Sequence, residues 1–117
     1  MRLAVRRTLF YTYVALVLIA TLAPLSGGIF VTAARYDKLA HVALLAGVAF
    51  LMLLSLDSAR RQDVIAAVVL TAVLAGAIEL LQGVLPFRSA EPWDFAAGTV
   101  GAVLGALAAL PLVTKQK

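Results

Sequence analysis

Four long apolar stretches dominate this chain: Thr8–Leu25, Leu39–Leu56, Val64–Leu85 and Phe95–Val113. They are joined by the short connections Ser26–Lys38, Asp57–Asp63 and Pro86–Asp94. Each stretch is close to the roughly 20 residues a helix needs to cross a hydrocarbon core. Inside lipid no water satisfies the backbone, so spans of this length must be helices. Composition argues the same way. Of 117 residues, 63% are hydrophobic and 14% charged, against about 45–50% and about 25% in soluble domains. A water-soluble fold this short buries only roughly 60–70% of its unfolded surface, too little to hide so much apolar area. The expected fold is therefore all-α, a single domain over residues 1–117. Short loops make neighbouring helices antiparallel, which gives a polytopic membrane four-helix bundle.

Charge supplies the orientation. With the N-terminus inside, Arg2, Arg6, Arg7, Arg60, Arg61, Lys115 and Lys117 are cytoplasmic, and only Arg35, Lys38 and Arg88 lie opposite. The positive-inside rule thus predicts both termini in the cytoplasm (N-in/C-in). These basic clusters flank apolar runs, so they read as topology signals and nucleic acid is not an expected partner. With no cysteine, a disulfide scaffold, a cysteine-ligated zinc site and an Fe–S centre are excluded. The arginine-led first run has the outline of a signal peptide. It is long for one, contains Tyr11 and Tyr13, and ends at Pro24 without a small-x-small site, so a retained helix is expected.

Ionisable groups inside a span cost about 2.5–3.5 kcal/mol at mid-bilayer on insertion scales. Glu79 lies seven residues before Pro86, roughly 10 Å below the helix end, too deep for a short carboxylate to reach water. Ala72, Gly76, Glu79, Gln82 and Gly83 share one helical face, whereas Leu70, Leu74, Ile78, Leu81 and Leu85 share the other. Large aliphatics suit lipid and small residues suit helix contacts, so this pattern points Glu79 and Gln82 into the bundle. In the fourth stretch, Asp94, Gly98, Gly101, Ala102, Gly105 and Ala109 form a small-residue stripe opposite Val100, Val103, Leu107 and Leu110. The second stretch carries Asp37, Lys38 and His41 on one side of its start. Asp37, Lys38, His41, Glu79, Gln82, Arg88, Glu91 and Asp94 thus fall at one end of the bundle, and a shallow polar pocket on the outer face is expected.

Three segments carry a family resemblance. They are Tyr36-Asp37-Lys38-Leu39-Ala40-His41, then Ile78-Glu79-Leu80-Leu81-Gln82, then Arg88-Ser89-Ala90-Glu91-Pro92-Trp93-Asp94-Phe95. In order and spacing they resemble the DK–x–x–H, E–x–x–Q and R–S/x–D elements of the VanZ-like membrane proteins, over about residues 36–105. Gly98 departs from that pattern, which often has an asparagine four residues after the aspartate. The resemblance implies a multi-pass protein of the bacterial inner membrane and the cell envelope. The family's namesake is associated with resistance to the antibiotic teicoplanin. Candidate ligands are a lipid-linked cell-wall precursor, a phospholipid headgroup or a glycopeptide antibiotic.

The sharp reading gives His41, Glu79 and Asp94 general acid/base roles, with Asp37, Lys38, Gln82 and Arg88 binding the ligand. Arginine and lysine suit an anionic group such as a phosphate. The bland reading is a buried hydrogen-bond network that pins helix order. A metal at His41 with Asp37, Glu79 or Asp94 has suitable ligand types, but no HExxH-like spacing supports it, and neither a metal nor a cofactor is expected. Ser26 and Ser89 lie in loops as turn residues, and Gly27-Gly28 is a turn with no phosphate-loop sequence after it. Trp93, Tyr11 and Tyr13 read as interfacial anchors. Self-association through the glycine-rich fourth helix is a further expectation. Rival functions are a non-catalytic accessory subunit and a small proton-coupled carrier, the latter disfavoured by the apolar inner halves of the helices.

Overall fold

The computed structural model describes residues 2–22, 37–84 and 92–114. Four helices make up almost all of it: α1 (Leu3–Leu22), α2 (Asp37–Leu56), α3 (Arg61–Val84) and α4 (Pro92–Thr114). All four are long and apolar enough to cross a membrane. The described residues contain no strand. Helices begin a few residues before the apolar runs do, because polar residues such as Arg6 and Arg61 extend them past the hydrophobic stretch. Pro92 opens α4, where its missing N–H costs nothing and its fixed φ suits the first turn.

Side-chain contacts establish the up-and-down path. Arg6, early in α1, meets Asp57, just past the end of α2. Thr21, late in α1, meets Gln82, late in α3. Each of α1 and α4 packs on both α2 and α3, and among the described residues α1 and α4 do not touch.

The α2–α4 interface is the most extensive in the molecule, and glycine makes it. A Cβ at Gly101 would fall on the Val42 carbonyl, and one at Gly105 on the Ala46 carbonyl. Two turns of α4 therefore lie directly on the α2 backbone, the close approach that small residues permit in membrane helices. Gly101 and Gly105 of the fourth-helix stripe thus pack within the chain. Below it, Ala49, Leu53, Ala67, Ala102, Ala106, Ala109 and Val113 close the core toward the amino-terminal end.

On α3 the expected face is rotated. Buried positions are Ala67, Thr71, Ala75, Ile78, Glu79 and Gln82. Ile78, expected against lipid, is fully buried with Val17, Leu45 and Val48, whereas Gly83, expected inside, is exposed. Leu70 and Leu81 do face outward. The correction has a simple cause: a large aliphatic side chain fits a protein core and lipid tails equally well, so size alone misplaces the boundary by part of a turn.

The loop between α2 and α3 is tightly made. Asp57 takes φ 51°, a left-handed conformation that aspartate tolerates better than most residues. Its N–H donates to the Leu53 and Leu54 carbonyls, ending α2 as a C′ residue does. The Ser58 hydroxyl then bonds the Asp63 carboxylate in the first turn of α3.

Candidate functional site

His41, Glu79 and Asp94 come from three different helices and meet at the end of the bundle opposite the chain's amino terminus. All three are buried, with relative exposures of 3%, 7% and 1%. One ligand-type atom from each lies within 4.8 Å of the others. Local structure explains the convergence. His41 sits in the second turn of α2 and Asp94 in the first turn of α4, while Glu79 lies near the end of antiparallel α3. Asp94 also gains from the positive end of the α4 dipole.

A dry floor supports the cluster. Leu45 and Gly98 follow His41 and Asp94 by four residues, and Ala75 precedes Glu79 by four. Gly98 packs closely on both of the others: a Cβ there would stand 2.9 Å from Ala75 Cβ and 3.3 Å from Leu45 Cγ. Each cluster member therefore rests on an apolar residue one turn deeper. Gly98 stands where the family pattern often has asparagine, and here the packing leaves no room for an amide.

On its outer side the cluster borders a groove between α3 and α4. The groove has a volume of about 520 Å³, is lined by Val73, Gly76, Ala77, Glu79, Leu80 and Phe95, and is almost wholly apolar. It faces the same direction as exposed Val69, Val73 and Leu80, the surface presented to lipid. Trp93 is 72% exposed near the rim, as an interfacial anchor should be.

The other expected site residues divide into two groups. Gln82 is buried, but its amide donates to the Thr21 carbonyl at 2.8 Å, so it ties α3 to α1 beside the cluster. Asp37 and Lys38 open α2, and their side chains lie outside the described residues, as do Arg88 and Glu91 entirely.

Two polar tethers were not anticipated. Arg6, expected as a topology signal, is 3% exposed. Its guanidinium donates to Asp57 Oδ1 at 3.1 Å and to the Leu54 carbonyl at 3.3 Å. Tyr13, expected at the interface, lies about 15 Å along α1 and donates to the Leu44 carbonyl at 3.0 Å, with its ring against Gly47. Burial of its hydroxyl end needs that partner. A signal for both existed: Arg6, Phe10, Tyr13, Val17 and Thr21 recur at three- and four-residue steps and form one inward face.

Chemically, the cluster offers one imidazole and two carboxylates in a low-dielectric setting. It can hold or exchange protons, accept donors from a ligand, or ligate a cation. Its fold and residues agree with one family model, described as VanZ/LLP1, which matches residues 4–114. No curated protein and no solved structure matches the chain. With nearly its whole length matched and four apolar helices that fit a membrane protein, the chain belongs to the VanZ/LLP1 family.

Proposed function

We propose that this protein is a multi-pass protein of the bacterial inner membrane that binds or acts on the polar headgroup of a cell-envelope lipid. The ligand class is a lipid-linked cell-wall precursor or a phospholipid, with a glycopeptide antibiotic as the competing envelope ligand. The observation that supports it is the joining of a buried His41–Glu79–Asp94 cluster to a lipid-facing groove through Glu79. A chain lying in the groove would bring its headgroup to the cluster without leaving the bilayer. The excess of basic residues around the amino terminus and the α2–α3 loop favours N-in/C-in topology, with the cluster toward the outer face. In this reading His41, Glu79 and Asp94 manage protons, Lys38 and Arg88 hold the anionic group, and Asp37 accepts hydrogen bonds from the headgroup's hydroxyl or amino donors.

The second reading is a non-catalytic accessory protein with a structural polar network, and Gln82 bonding across to α1 favours it. The carrier reading fits less well, because the Leu45–Ala75–Gly98 floor and the alanine-rich core beneath close the path inward. Glu79→Gln separates the first two. In cells carrying the wild type or the variant, membrane protein level is compared with teicoplanin susceptibility. With purified protein, turnover and binding of phosphatidylglycerol and of an undecaprenyl-phosphate-linked precursor are compared. The headgroup reading expects equal protein level and a loss of about 10²-fold or more in turnover or binding. Parallel loss of level and activity would support the structural reading.

A further inference from the structure

Two carboxylates and one imidazole, buried and brought together by three helices, are the donor types of a cation site. A phosphate-bearing headgroup beside them would bring further negative charge, which a divalent cation between the two would offset.

We infer that His41, Glu79 and Asp94 form a binding site for one first-row divalent metal ion. Donor chemistry narrows the class: imidazole suits zinc and iron, carboxylates suit manganese and magnesium, and a one-nitrogen, two-oxygen set falls between, at Zn²⁺ or Mn²⁺. Geometry agrees. Metal–ligand bonds of about 2.0–2.2 Å put neighbouring donors roughly 3.5 Å apart. Donors already within 4.8 Å of one another need only a small approach to reach that spacing.

Three further features fit. Each ligand comes from a helix, which positions it more rigidly than a loop would. Leu45, Ala75 and Gly98 pack closely as an apolar layer one turn beneath the ligands. Three protein ligands leave a coordination position for a further donor, as catalytic sites do, and Glu79 also lines the apolar groove between α3 and α4. The spacing of the three ligands, 41, 79 and 94, belongs to no compact sequence motif, because tertiary packing assembles the site. The inference rests on the headgroup reading only for the ligand the ion would meet. The three side chains then act together as ligands, and the ion faces the phosphate.

The test uses full-length protein in mild detergent, stripped with a chelator and then titrated with Zn²⁺, Mn²⁺ or Mg²⁺. Bound metal is measured by mass spectrometry and thermal unfolding by intrinsic fluorescence. The expected result is one Zn²⁺ or Mn²⁺ per chain, a higher unfolding temperature, and weaker uptake of Mg²⁺. Glu79→Gln, Asp94→Asn and His41→Ala should each weaken uptake by about tenfold or more. Arg6→Ala, at the far end, should leave the stoichiometry at one. Co²⁺ loaded in place of zinc gives ligand-field bands whose position and intensity report the coordination number, a readout independent of the unfolding temperature. Wild-type protein that takes up neither ion would overturn the inference. So would Glu79→Gln and Asp94→Asn variants that bind as tightly as wild type. Flotation with phosphatidylglycerol vesicles, with and without metal, keeps the two ideas apart. Lipid binding by metal-free protein at full strength removes the metal and leaves the headgroup reading, whereas stoichiometric metal without lipid binding does the reverse.

Discussion

At the end that carries the amino terminus, a buried Arg6 reaches an Asp57 whose side chain is 41% exposed, and opposite charges meet beside water. At the other end, His41, Glu79 and Asp94 gather two potential negative charges beside one imidazole, and all three are buried. The first arrangement is what stability alone would select: a paired cation, a helix end and a loop joined by one guanidinium. The second sets ionisable groups in a buried position, where their desolvation is costly and has to be offset by the groups around them. Arg6 therefore reads as a clamp, and the cluster as a buried gathering of ionisable groups from three helices.

This contrast can be broken from either side. The largest effect is expected from Gly98→Asn, which restores the residue common in the family pattern. Even a methyl group there presses on Ala75 and Leu45, so the amide should overpack the floor and cost about 3 kcal/mol. Chemical unfolding in detergent would measure it, and an unchanged midpoint would show that the floor has slack. Arg6→Ala should cost about 2 kcal/mol through its lost hydrogen bonds and packing, with little change in lipid or metal binding per folded molecule. Loss of that binding at full stability would erase the distinction between the two ends. Gln82→Leu should have the smallest effect, about 0.6 kcal/mol, the typical worth of an interhelical hydrogen bond in a membrane. If headgroup binding falls far more than stability, Gln82 belongs with the ligand-binding residues and not with the α1 tether.

How much was legible from residues varies with the interaction. Span number and length followed from hydrophobic runs because lipid leaves the backbone one solution. Glu79 was placed inward correctly because a carboxylate at that depth has nowhere else to go. The rotation of α3 was not, since Ile78 is equally at home against Leu45 or an acyl chain. Tyr13 and Arg6 escaped notice for a related reason: each belongs to a type that commonly sits at an interface, and nothing local reveals a carbonyl or carboxylate arriving from α2.

Solvent preference is a property each segment carries along its own length, so the residues alone settle that there are four helices, that they suit lipid, and that Glu79 faces the bundle. Partnership is not such a property. Which carbonyl Gly101 and Gly105 uncover, which arginine finds Asp57, and how near His41, Glu79 and Asp94 come to one another all depend on the relative rotation of packed helices. That rotation is set by contacts between segments dozens of residues apart, and no single stretch of chain encodes it.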